Sequence, residues 1–206
     1  MASPKHLEHA ILGFLNYQPW TGYELKQVFD VSIRHFWPAD QSQIYKALAK
    51  LADEGYATVE IVHQDDRPSR KVYSITDKGR EEIQAWVARK PEADDFREPF
   101  LIQVFFSGML SDEEAIHVLE SKIEEWNAAL DHLDAERESS LSADGKGARP
   151  RDQFFWFLTV DCGLWHVQAA VDWAEETIDR IRRKEYADGP SVLLPPRRRR
   201  DPKVYQ

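Results

Sequence analysis

Between Arg151 and Tyr186 no proline interrupts the chain, and its apolar residues fall on two separate lines. Phe157, Val160, Leu164, Val167, Val171, Ala174, Ile178 and Ile181 alternate at spacings of 3 and 4, one stripe of a long helix. Phe154, Leu158, Cys162, Trp165, Ala169 and Trp173 form a second line on another side of the same helix. A helix with one stripe can bury it against its own chain. A helix with two suggests a second partner, and another subunit is the simplest one.

Residues 99–150 supply the packing elements. Pro99 to Leu110 is apolar nearly all round and is expected to be buried on most sides. Ser111 caps a long helix whose first turn is acidic, which suits the helix dipole. In it Ile116, Leu119, Ile123, Trp126, Leu130 and Leu133 repeat in a heptad seam. Ser139 to Pro150, rich in Ser, Gly and Ala, is expected to be a loop.

The first ninety residues follow another rule. Leu7, Ile11, Phe14 and Leu15 stripe one helix, which ends before Gln18-Pro19. After a break at Thr21-Gly22-Tyr23, Leu25, Val28, Phe29 and Ile33 stripe a second. Trp37-Pro38-Ala39 turns the chain into a third helix, Asp40 to Gly55, with Ile44, Leu48 and Leu51 inward. Asp40 or Ser42 can cap its start, and Gly55 suits the left-handed residue that ends a helix. Ala57–Val62 and Lys71–Ile75 read as paired strands joined by the polar H-Q-D-D-R-P-S-R connection. Thr76 caps a fourth helix with Ile83, Trp86 and Val87 inward. Helix, helix, helix, hairpin, helix is a winged helix-turn-helix.

Ser42, Gln43, Lys46 and Lys50 project from the third helix away from its apolar stripe, with Tyr45 on the flank. Arg67, Arg70 and Lys71 make the wing basic. These groups suit phosphates and base edges. The net charge of -9 argues against a nucleic-acid partner until its distribution is counted. Residues up to Lys90 are neutral overall, Pro91 to Pro190 carry -13, and Ser191 to Gln206 carry +4. The acidity lies away from the head, and a DNA-binding surface need only be locally basic.

Three segments carry a family resemblance. L-E-H-A-I-L-G-F-L…T-G-Y-E-L, then S-Q-I-Y-K-A-L-A-K-L-A-D-E-G-Y, then R-P-S-R-K-V-Y-S-I-T-D-K-G-R together resemble the PadR family of bacterial transcriptional regulators, from about Leu7 to Arg80. Lys46 stands where that family often has proline, and Asp65-Asp66 adds negative charge to the wing. The resemblance implies a dimeric repressor on an inverted-repeat operator, with a helical C-terminal dimerisation domain. It also raises a small aromatic effector, for which Trp126, Trp165 and Trp173 are the candidate contacts.

The single cysteine excludes an intrachain disulfide and fits a reducing compartment. No apolar run marks a signal peptide, and no stretch approaches ~18 uncharged apolar residues, so a cytoplasmic protein is expected, nucleoid-associated when on DNA. Cys162 and His166 stand four apart on a helix, but an apolar stripe explains Cys162. No catalytic residue, metal or cofactor is expected. The expected fold is mostly α with a small β-hairpin wing. Its parts are a winged helix-turn-helix domain over 1–90, a helical dimerisation and effector domain over 91–190, and a flexible basic tail over 191–206. The rival function is a winged-helix module that binds proteins and no DNA.

Overall fold

A computed structural model describes residues 5–63, 69–91, 97–142 and 149–188. The chain divides into two compact units, one of residues 1–95 with 132–164, the other of 96–131 with 165–206. Two long helices contribute to both.

In the first unit, α1 (His6–Leu15), α2 (Gly22–Ser32) and α3 (Gln41–Asp53) precede the hairpin β2 (Ala57–Val62) and β3 (Arg70–Ile75), and α4 (Asp77–Ala88) closes the head. β2 and β3 pair antiparallel, Val59 opposite Tyr73 and Val62 opposite Arg70. The break before α2 is also a short strand, β1 (Trp20–Thr21), on the other side of β3, giving the order β1-β3-β2. Thr21 then caps α2, its hydroxyl accepting from the Glu24 amide at 3.2 Å while Glu24 accepts the Thr21 amide at 2.8 Å. Gly55 ends the α3 segment at φ 78°, a conformation that strains any residue with a Cβ.

The head core is closed. Ile11, Leu12, Leu15, Leu25, Phe29, Ile44, Leu48, Leu51, Tyr73 and Ile75 pack into one buried cluster drawn from α1, α2, α3 and the sheet. On α1, His9 stacks on Trp86 of α4 at 4.6 Å and meets the Glu82 carboxylate at 3.0 Å. Val87 departs from its expected place. It is 70% exposed, because Ile83 and Trp86 already fill the face of α4 that meets the core.

The long helices are α6 (Asp112–Ser142) and α7 (Pro150–Arg182), preceded by α5 (Pro99–Phe106) and a 3-10 turn at Ser107–Met109. Helix α6 continues to Ser142, into the span expected to be loop, and 143–148 of that span lie outside the described residues. The linker at 92–95 and the tail at 191–206 also lie outside them.

In the second unit Phe100, Leu119, Ala174 and Ile178 form a small core. The expectation that Pro99–Leu110 is buried on most sides is overturned. Phe100 is buried, but Ile102, Phe105 and Met109 are 62%, 81% and 80% exposed. A helix apolar all round needs cover on all sides, and within one chain α5 has cover on the Phe100 side. The two lines of α7 separate in the same way. Val160, Val171, Ala174 and Ile178 are buried, whereas Phe154, Leu158, Cys162, Trp165, Ala169 and Trp173 are all exposed. Helix α7 is also long and apolar enough, with mean hydropathy 1.2 over its best 18 residues, to cross a membrane by length and composition. That stretch contains Asp161, so an uncharged apolar run of that length is still absent from it.

Candidate DNA-binding surface

Helix α3 is held from below by Ile44, Ala47, Leu48 and Leu51, all buried, which turns its opposite face outward. Ser42, Gln43, Tyr45 and Lys46 are exposed on that face. Gln43 also accepts the Asp40 amide through its side-chain oxygen at 2.9 Å, so it fixes the first turn of the helix it decorates. Among the described wing residues, Arg70 and Lys71 are exposed at the start of β3. Arg67 lies outside the described residues, as does the Asp65-Asp66 pair.

Tyr45 is 42% exposed, and its ring lies over the first residue of α2. A Cβ on Gly22 would stand 2.6 Å from the Tyr45 ring, so glycine is what lets α3 pack there. Tyr45 thus braces α2 against α3 as well as facing outward. Burial pushes the phenol of Tyr73 on β3 up, and the neighbouring Tyr45 adds to the shift.

Arg70 is tied electrostatically to the helix-turn-helix. The Thr21 amide and hydroxyl hold the Glu24 carboxyl below its ordinary value, and Arg70's charge lowers it further. The wing's basic start therefore sits close enough to α2 for their charges to interact.

Lys50 does not share the free face. Its ammonium donates to Glu8 on α1 at 2.9 Å, and the side chain is 34% exposed. The Glu8 hydrogen bond raises the Lys50 pKa. Burial pushes the Glu8 carboxyl up, but the Lys5 amide and Lys50 together more than offset it, leaving Glu8 below its ordinary value. Lys50 belongs to an α1–α3 brace rather than to the exposed set. Its partner stands 42 residues away, beyond the reach of any helical spacing rule.

The three candidate effector tryptophans do not converge. Trp126 and Trp173 both meet Phe100 edge-on, at 5.4 and 6.5 Å. Phe100 fills the space that a flat ligand would take between them. Trp165 is 66% exposed and forms no part of that cluster. Among the described residues no group of three His, Cys, Asp or Glu side chains is placed to hold a metal ion.

Comparison with known proteins matches this architecture along its length. Residues 11–85 match the transcriptional regulator PadR-like family, and 96–182 match the virulence activator alpha C-terminal family. The negative transcriptional regulator PadR of Bacillus subtilis is 28% identical over 176 residues, covering 85% of this chain and 97% of that one. Its crystal structure with operator DNA superimposes with a TM-score of 0.76 at 29% identity, over 86% of this chain and 99% of that one. Its complex with p-coumaric acid gives 0.72 at 26%, over 87% and 99%. The Vibrio cholerae virulence activator AphA gives 0.67 at 26%, over 86% and 99%. A winged helix that binds no DNA is not favoured by this company, nor is an enzyme. With a winged head matching one model and long helices matching the other, the chain carries a PadR-like domain over residues 11–85 and is similar along its length to DNA-binding transcriptional regulators.

Proposed function

We propose that the protein is a homodimeric repressor that places two α3 helices in successive major grooves of an inverted-repeat operator, about 34 Å apart. The observation that carries this reading is the exposed line Phe154, Leu158, Trp165 and Trp173 on α7, together with exposed Phe105 of α5 and Met109 of the turn after it. Apolar area of this kind is costly in water and is covered in a dimer. The dimerisation domain is taken as 91–190 and the DNA-binding domain as 1–90. Ser42, Gln43, Tyr45 and Lys46 face the groove, and Arg70 and Lys71, with Arg67, reach flanking phosphates. Lys50 contributes by holding α3 on α1. The tail at 191–206 adds sequence-independent phosphate contact through its four arginines.

The B. subtilis relative's operator complex and its name support repression, by exclusion of polymerase from the promoter. This function requires the cytoplasm, with the protein on the nucleoid when bound. Its p-coumaric acid complex supports a small aromatic effector here too. Such a ligand releases DNA by favouring a head spacing the operator does not fit. To enter between Trp126 and Trp173 it has to displace the Phe100 ring. Titration with phenolic acids, following tryptophan fluorescence and operator release together, tests that site; quenching without release makes it incidental.

The test of the main reading is a mobility shift of the protein on duplex DNA from its own upstream region, repeated over several salt concentrations. Specific binding that weakens steeply with salt is expected. Absence of salt-dependent binding to that duplex, or to any duplex selected from a random library, would overturn it.

A further inference from the structure

His35 lies in the turn after α2, and its side chain is 7% exposed. It enters a notch between the two long helices. Its Nδ1 stands 3.3 Å from Oε2 of Glu136 on α6, a carboxylate that is itself 11% exposed. His132, one turn earlier on α6 and 66% exposed, approaches the other oxygen of Glu136 at 3.4 Å. On the α7 side Gly163 backs the notch, where a Cβ would be in ordinary contact with His35 at 3.7 Å and with Leu133 at 3.4 Å. Phe36 flanks the imidazole edge-on at 4.8 Å.

This contact is poorly suited to a purely stabilising role. Among the described residues, neither ring nitrogen of His35 nor Oε2 of Glu136 makes a hydrogen bond. A buried pair short of its hydrogen bonds contributes little net stability, because desolvation offsets the attraction. It does fix position, since few orientations of the head put the ring in the notch. A second contact between head and helices, Tyr17 edge-on to Trp156 at 5.5 Å, is more exposed.

We propose that His35 and Glu136 are positioning residues that set the angle of the winged head on α6 and α7, and thereby the half-site spacing the regulator accepts. Neither touches DNA. The proposal rests on the two-headed operator reading above. A loosened notch lets each head swing, so operators of the wrong spacing are accepted while each head reads its half-site as before.

The test measures the angle and its consequence. Spin labels on Ala135→Cys of α6 and on Glu60→Cys of β2, with Cys162→Ser removing the native thiol, report head against the long helices. Dilution of labelled chains into excess unlabelled chains restricts the signal to pairs within one chain. The distance distribution is expected to be narrow in the parent and at least about twofold wider in His35→Ala and in the shape-preserving Glu136→Gln. On selected operators with half-sites moved by one or two base pairs, the parent is expected to lose at least about tenfold in affinity and the variants at most about threefold. Affinity for a single half-site is expected to stay unchanged. Parent-like distance widths in both variants would overturn the proposal. Wider distributions with an unaltered spacing profile would overturn its functional half. A parent that binds no duplex would reject the operator reading, while the distance measurement still decides whether the notch orients the head.

Discussion

The head and the helical half of this chain are both rich in apolar residues, but they finish folding differently. In the head, Ile11, Leu12, Leu25, Ile44 and Leu48 are wholly shielded from solvent. In the second unit the core is four residues, while Phe105, Met109 and Trp165 stand 81%, 80% and 66% exposed. The head satisfies its apolar pattern with its own elements. The helices satisfy half of theirs and present the rest. Apolar periodicity states how many faces a helix must cover, and it is silent on whether the cover comes from the same chain.

Leu48→Ala removes a fully buried side chain from a closed core, and a loss of about 2–5 kcal/mol is expected. Urea unfolding followed by circular dichroism checks it, and a change under about 1 kcal/mol would mean the head core is looser than its burial implies. On the helices the opposite is expected. Phe105→Asp and Trp165→Glu replace exposed side chains, so the unfolding of the head should not change. Assembly should: sedimentation should shift toward the monomer, and affinity for a two-half-site duplex should fall by about 100-fold. Unaltered sedimentation in both variants would put the interface elsewhere.

On the outer face of α3 a smaller effect is expected. Lys46→Ala and Arg70→Ala should each weaken operator binding and reduce the slope of log affinity against log salt by about 1, without changing stability. Lys50→Ala should behave differently, lowering the stability of the head through its lost tie to Glu8 while leaving the salt slope nearly untouched. Equal slopes for Lys46→Ala and Lys50→Ala would place Lys50 back among the contacts.

The smallest effect is a pH dependence within the α1–α3 brace. The Glu8 carboxyl is held below its ordinary value in the folded head, so its ionised form stabilises the fold. That contribution is complete above the ordinary carboxylate range and fades as the pH falls through the depressed value. Glu8→Gln should therefore be less stable than the parent at neutral pH, with the gap closing in acid. A gap independent of pH would assign the difference to packing alone.

Much of this architecture is legible in residue spacing. The stripes of α1, α2, α3 and α7 each run long enough to fix a period, and the hairpin strands fall where the β-branched runs at Ala57–Val62 and Lys71–Ile75 put them. β1 is not legible, because two residues have no period and Trp20-Thr21 is a strand only through its pairing with β3. Spacing groups Lys50 with the outer face because its partner, Glu8, is far away in sequence. Trp126 and Trp173 share Phe100, but the spacing of tryptophans on two helices cannot show that a third aromatic ring separates them. His35 carries no signal in the sequence, since a turn histidine acquires its role from a notch built by α6 and α7.

If self-contained heads are joined in pairs by helices whose free faces meet, operator duplex takes up two chains together. The most direct measurement is the stoichiometry, by sedimentation equilibrium, of selected inverted-repeat duplex with the full chain and with a chain cut after Lys90. Two full-length chains per duplex, bound together without a singly occupied species, are expected. The head alone, folded around its own core, is expected to be monomeric and to fill half-sites weakly and independently. A head fragment that dimerises and binds as tightly as the whole chain would contradict the account.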